Sequence, residues 1–212
     1  PQARHGRKSK SKTFKGFKLH LVGDVVSGLI ASVAVTPGNF HDSRPAHRLI
    51  RRASDLLEGI DQILGDTAYG AASFRRRIRQ ELAVDILAPP PPSTRPKNGR
   101  FGKADFEIDF TTGGVLCPNG VLSDTFTVAQ NANGPCRRYS WPRQQCERCP
   151  MADKCLAKKR KSRTLLLHPD EEEQRKARRQ WAEADTRAAY RTRSQCERLA
   201  NQMVRHGGRR AR

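Results

Sequence analysis

What the chain lacks narrows its class before any motif is considered. No apolar run is long enough to cross a membrane, because the most apolar stretch, Leu19 to Val35, is interrupted by Gly23, Asp24 and Ser27. A secretory signal is not expected either, since the basic start is not followed by an uninterrupted apolar segment. In that setting six cysteines read as thiols or metal ligands, not as a disulfide framework. No internal repeat is visible, so no stacked-repeat architecture is expected. Acids are scarce where bases are dense. None occurs in the first eighteen residues, which carry Arg4, Arg7, Lys8, Lys10, Lys12, Lys15 and Lys18.

What is present is a strongly basic chain of 212 residues, long enough for one medium domain with a small inserted module. Lys and Arg number 41 against 21 Asp and Glu, for a net charge of +20. From Tyr190 to the end, Glu197 is the single acid among many arginines. A polyanion relieves such repulsion, and nucleic acid releases counterions as it does so. Nucleic acid is therefore the expected partner, met through phosphates more than through bases.

Hydrophobic patterning gives the element order. Residues 1–13 read as a basic arm without regular structure. Phe14–Val22 and Leu29–Thr36 read as two strands of a hairpin, and Thr36-Pro37-Gly38-Asn39 as a turn. A helix capped by Asp42 or Ser43 follows, with Pro45 in its first turn and Ala46, Leu49, Ile50, Ala53, Leu56 and Leu57 on its apolar stripe. Gly59 stops it. Ile60–Gly65 is expected as a strand, Ala71–Leu82 as a helix burying Phe74, Ile78 and Leu82, and Val84–Ala88 as a strand before four prolines. These elements make residues 14–92 the first part of an α/β domain. Residues 93–168, rich in Gly, Pro, Asn and Cys, read as an insertion with short strands and no large core. Residues 169–212 read as one long charged helix and a basic tail, opened by Pro169, Asp170 and three glutamates.

Two constellations can carry chemistry. Asp66 follows an apolar strand, at the edge where α/β sheets place ligands, and a carboxylate there suits a hard cation such as Mg²⁺. The residues alone equally allow Asp66 to cap the turn that follows. On the last helix, Tyr190, Arg193 and Glu197 fall within about 60° of one another, beside an apolar stripe of Cys196, Leu199, Ala200 and Met203. Glu197 can thus reach a site on the sheet, or simply pair with Arg193 as a surface acid. Cys196 reads as core. The second constellation is Cys146, Cys149 and Cys155, with Cys117 as the fourth thiol of a tetrahedral zinc site and Cys136 as its competitor.

Tyr190-x2-Arg193-x3-Glu197 resembles the Y-(2)-R-(3)-E-(6)-K motif of bacterial insertion-sequence transposases of the DDE type. Lys15–Leu21, Val35–Asp42 and Leu64–Gly70 resemble further motifs of that family, in the family's order, and the likeness runs from Arg4 to Arg210. The cysteine-bearing insertion resembles one branch. The resemblance implies a ribonuclease H-like mixed sheet with flanking helices, interrupted by the small Cys-rich insertion. It implies an Asp-Asp-Glu triad holding two Mg²⁺ ions, with Asp66 as second Asp and Glu197 as third carboxylate. Tyr190 and Arg193 would support that face or touch DNA. The intact enzyme would perform metal-dependent phosphodiester cleavage and strand transfer on transposon ends and target DNA. It would act as a homodimer in its DNA complex, in the cytoplasm and on the nucleoid.

Two departures accompany the likeness. The motif's last Lys falls at Val204, with Arg205 beside it as the replacement DNA contact. The triad's first Asp belongs on a strand before Lys15–Leu21, and no such strand is expected here; Asp24, in the hairpin loop, is the one substitute. The chain reads as truncated at both ends, and is expected not to cut DNA alone. The alternatives are a non-catalytic, zinc-stabilised nucleic-acid-binding protein, a decayed transposase remnant, or a hydrolytic nuclease on the same fold.

Overall fold

The computed structural model describes residues 2–7, 11–92, 96, 99–131 and 134–208; Lys8, Lys10 and Arg210 lie outside the described residues. The chain divides into two units, one holding the residues up to Pro91 together with those from Lys176 onward, the other Pro92–Arg175.

In the first unit, β1 (Arg4–Arg7) pairs antiparallel with the start of β2 (Thr13–Gly23), Arg4 opposite Gly16 and Arg7 opposite Thr13. Composition predicts no regular structure at the start of the chain; Arg4–Arg7 is instead a strand. A four-residue basic run has no apolar period of its own, and its hydrogen bonds come from β2. From Phe17 onward β2 pairs with β3 (Ile30–Pro37), as the hairpin pattern predicts. The face of this pair that carries His20 and Ser32 lies beneath α1 (Ser43–Leu56), where the Ser32 hydroxyl donates to Leu49 O at 2.8 Å. On the other face Phe17, Leu19, Val33 and Val35 stay exposed.

Helix α1 buries Pro45, Ala46, Leu49, Ile50 and Ala53. Leu56 belongs to the same stripe by spacing but is exposed, because the helix ends there. Asp42 is the N-cap residue yet makes no capping bond with its side chain. Next come β4 (Gln62–Leu64), α2 (Ala72–Leu82) and β5 (Asp85–Leu87), a strand-helix-strand unit whose two strands are parallel. Ala46, Ile50, Ile78, Val84, Ile86 and Ala88 form the core. Each large aliphatic side chain fully withdrawn from water there contributes about 1.5–3 kcal/mol.

The second unit holds β6 (Glu107–Ile108), β7 (Val115–Leu116) and β8 (Leu122–Ser123) as one antiparallel sheet. A second sheet is formed by β9 (Phe126–Asn131), β10 (Gly134–Ser140) and β11 (Thr164–Leu167), with β10 central. Between β10 and β11 lie two short helices, α3 (Arg143–Glu147) and α4 (Ala152–Cys155). The insertion does have a core: Phe106, Val115, Tyr139, Trp141, Leu165 and Leu167. Its aromatic members are Phe106, just before β6, Tyr139 in β10 and Trp141 just after it, a grouping that no local periodicity announces.

The single long helix expected from residue 169 onward is broken. α5 (Glu171–Ala182) stops at Glu183, whose backbone is extended, and α6 (Ala184–Tyr190) starts afresh. A 3-10 turn at Arg191–Arg193 then leads into α7 (Ser194–Met203). The break lets the Trp181 ring meet Tyr190 edge-on, centroids 4.8 Å apart. Neither Gly nor Pro marks it. The acidic opening of the helix is as expected, and Glu171 is buried against Lys103 Nζ at 2.8 Å.

Candidate active site

Asp66 lies where the chain leaves the sheet. Gly65 N still donates to Leu87 O at 2.9 Å, extending the β4–β5 ladder by one residue, and Asp66 Oδ1 then accepts from Ala68 N at 2.8 Å. The carboxylate therefore does cap the turn Thr67–Tyr69. Its second oxygen, Oδ2, has no hydrogen bond among the described residues. Gly70 closes this turn against Pro89 O, where a Cβ would stand 2.1 Å away, so no larger residue fits.

The helix face inferred from spacing is present. The Tyr190 hydroxyl donates to Gly65 O at 2.9 Å, joining residues 125 positions apart. Arg193 lies over the Tyr190 ring, 5.6 Å from its centroid, and its Nη2 donates to Glu197 Oε1 at 2.5 Å. A chain of touching groups thus leads from the strand end carrying Asp66, through Tyr190 and Arg193, to Glu197. The same pairing is what an ordinary surface acid would make, and the Glu197 side chain is 58% exposed. On the neighbouring stripe, Cys196 Sγ lies 3.6 Å from Gly23 O, and Leu199 packs on Gly23. Burial pushes the Cys196 thiol and the Tyr190 phenol above their usual pKa.

These groups line one cleft of about 780 Å³, walled by Lys18–Gly23 of β2, Asp24 of the loop that follows, Gln62–Asp66, and Arg193, Cys196, Glu197 and Ala200. Over Phe17–Gly23, β2 pairs with β3 alone, and β4 pairs with β5 alone. Each strand therefore has one edge without a strand partner among the described residues, and both strands wall the cleft.

Four carboxylates reach it: Asp24, Asp42, Asp66 and Glu197. Asp24 is turned toward its own loop, accepting from Val26 N, Ser27 N and the Ser27 hydroxyl, and those bonds, the hydroxyl's first, hold its pKa low. Asp42, freed from capping, accepts from Lys18 Nζ at 2.8 Å; Lys18 also donates to Phe40 O. Burial foremost, then the charges of Asp66 and Asp42, raise the pKa of Tyr69. Lys18 and Tyr69 join the site without any spacing signal of their own, although both lie inside stretches that resemble the transposase motifs. Arg205 is exposed and is not among the cleft's lining residues, and Val204 beside it is half-buried.

In the second unit Cys117, Cys146, Cys149 and Cys155 line a single small cavity. Cys117 Sγ accepts from Val121 N and Cys149 Sγ from Met151 N, both at 3.4 Å, bonds that orient the two sulfurs. Burial raises the Cys155 thiol, while the Arg163 cation opposes that shift. Cys136 is buried in β10, where Asn131 Nδ2 donates to it, and it does not line the cavity. All six cysteines are free thiols. As the side chains stand, no group of three or more His, Cys, Asp or Glu is arranged to hold a metal ion among the described residues. Nor, among those residues, is any helix long and apolar enough to cross a membrane.

The mixed α/β arrangement, with four carboxylates on one cleft in a chain of net charge +20, is consistent with the ribonuclease H-like domain that the resemblance implies. A family model described as Transposase DDE domain matches residues 1–212. The chain belongs to that family and is a DNA transposase, a class that acts on DNA with a divalent metal such as Mg²⁺. The non-catalytic alternative is not favoured. No curated protein and no solved structure matches the chain.

Proposed function

We propose that Asp66 and Glu197 are two of the carboxylates that hold the divalent metal for phosphodiester cleavage and strand transfer. The observation that carries this reading is the Tyr190 hydroxyl bond to Gly65 O, which ties the helix of Glu197 to the strand end of Asp66. The donors fit the metal in kind, being hard oxygens on one cleft. Two ions bound there would activate a water or DNA 3′-hydroxyl and stabilise the leaving oxygen. Arg193 holds Glu197 in place until the metal competes for it, and Tyr190 fixes the distance between helix and strand. Arg205 contacts a DNA phosphate.

The triad's first carboxylate lies on a strand that pairs with the open edges of β2 and β4; the engagement of Asp24 by its own loop favours this over Asp24 itself. Full transposase carrying Asp66→Asn or Glu197→Gln should bind DNA normally and lose cleavage with Mg²⁺ or Mn²⁺. Retained cleavage in either variant overturns the assignment. The 212-residue chain alone should fail to nick DNA, and robust nicking abolished by Asp66→Ala would place the first carboxylate within it.

The four cavity thiols hold a structural zinc, with Cys117 and not Cys136 as the fourth ligand; the shared cavity and the two N–H···S bonds support this. Metal analysis should find about one zinc per chain, and much less would sink the idea. Two copies act together on DNA, which the mass of the protein–DNA complex tests.

A further inference from the structure

Between Leu156 and His168 the second unit contains no acid and five cations, Lys158, Lys159, Arg160, Lys161 and Arg163. The first four are consecutive and exposed. None of those four takes part in an ion pair among the described residues, although acids are available nearby in sequence at Asp153 and Asp170. A run of this kind costs self-repulsion that only an anionic partner relieves.

The run is also anchored, which separates it from a solvated tail. On its leading side Leu156 N bonds Ala152 O at 2.7 Å, and Arg160 N closes a tight turn on Ala157 O at 2.7 Å. On its trailing side Arg163 turns inward. Its guanidinium donates to Cys155 O and to Phe101 O, both at 3.1 Å, and stacks over the Phe106 ring. Trp141 N then donates to Arg163 O at 3.2 Å, where β11 begins. The fifth cation thus fastens the turn to the aromatic core and the thiol cluster, and four are left facing water.

We propose that the turn Lys158–Lys161 is a DNA backbone contact of the second unit, separate from the carboxylate cleft of the first. It takes duplex phosphates without reading bases, since three of its four cations are lysines that present point charges, and phosphate contacts carry no sequence information. An anchored turn loses less conformational freedom on binding than a free tail with the same charge. This role rests on the chain's being a DNA transposase and does not depend on whether the thiols hold metal.

The test measures binding of the full chain to a short random-sequence DNA duplex over a series of salt concentrations. One variant replaces Lys158, Lys159, Arg160 and Lys161 by Gln; a control of equal charge change replaces Arg138, Arg143, Arg148 and Lys154. For every phosphate no longer neutralised, the slope of log K against log salt falls by about 0.9, so the turn variant should give up roughly 2–4 units of slope. The control should give up clearly less. Equal falls in both variants would show a general charge effect, and an unchanged slope in the turn variant would show that the turn does not touch DNA; either overturns the proposal. If the unaltered chain fails to bind DNA at all, the DNA reading of this chain falls with it, which the variants by themselves cannot cause. In a Trp181→Phe background, unchanged Trp141 fluorescence in the turn variant shows that the unit is still folded.

Discussion

The two units solve the same problem of cohesion by different means. The first lays amphipathic helices on strands and closes over aliphatic side chains, among them Ile50, Ile78, Val84 and Ile86. The second is built from strands of two to seven residues, and its core is largely aromatic, with Phe106, Tyr139 and Trp141, beside a cavity lined by four thiols. The first unit leaves strand edges and carboxylates open at a cleft. Among the described residues, the second has no helix of more than five residues lying wholly within it, so cross-links between distant loops matter most there.

The largest effect expected from this contrast is on metal removal. A structural zinc on four thiolates is worth of order 10 kcal/mol to a small unit. If the four thiols hold the proposed zinc, a strong chelator, or Cys149→Ser, should unfold the second unit and leave the first folded. Each unit holds one of the two tryptophans, Trp141 in the second and Trp181 in the first. In a Trp181→Phe background the Trp141 emission should shift to the red on chelation; no shift would erase the distinction between the units.

Next in size is Ile78→Ala, at a fully buried position in the first unit. It should cost about 2–5 kcal/mol in denaturant unfolding, with the Trp141 signal unaffected.

A smaller effect is expected at Tyr190→Phe, which removes the hydroxyl bond to Gly65 O and should cost about 0.5–1.5 kcal/mol. If the tether positions Glu197, cleavage by the full transposase should fall further than that destabilisation explains, with DNA affinity unchanged. Weaker affinity with undiminished cleavage would make Tyr190 a DNA-binding residue.

A pH dependence is also expected in the first unit. His20 is buried against Thr36, and burial, outweighing the nearby Asp42, lowers its pKa below 6.5, with Lys18 acting in the same sense. The folded state then binds fewer protons than the unfolded state just below that value, so stability falls as pH drops from 6.5 toward the folded pKa. His20→Gln should flatten that slope in urea titrations. Smallest of all is Glu197→Gln. As an exposed pair with Arg193 it should change stability by only about 0.3–0.5 kcal/mol, while its proposed effect on cleavage is complete.

Much of the first unit is legible in the residues. The alternating pattern of β2 and β3, the stripe Ala46, Leu49, Ile50 and Ala53, and the strand ending before Asp66 are local signals, and each matches its element. The second unit is less legible, because Phe106, Tyr139 and Trp141 meet only after several chain reversals. Arg4–Arg7 carries no apolar period, so its pairing with β2 is hidden. The stop at Glu183 is hidden too, since Trp181 and Tyr190 reward it with a ring pairing that no Gly or Pro announces.

By itself the sequence determined the family, the basic character, the candidate carboxylates Asp66 and Glu197, and the helix face shared by Tyr190, Arg193 and Glu197, because these follow from motif spacing and a period of about 3.6 residues. Only the tertiary structure decided that Cys117 and not Cys136 joins the thiol cavity, that Asp42 serves Lys18 in place of its helix, and that Tyr190 reaches Gly65. The physical reason is separation along the chain. A period reports which way a side chain points on its own element, but a hydrogen bond across 125 residues exists only once the elements have packed.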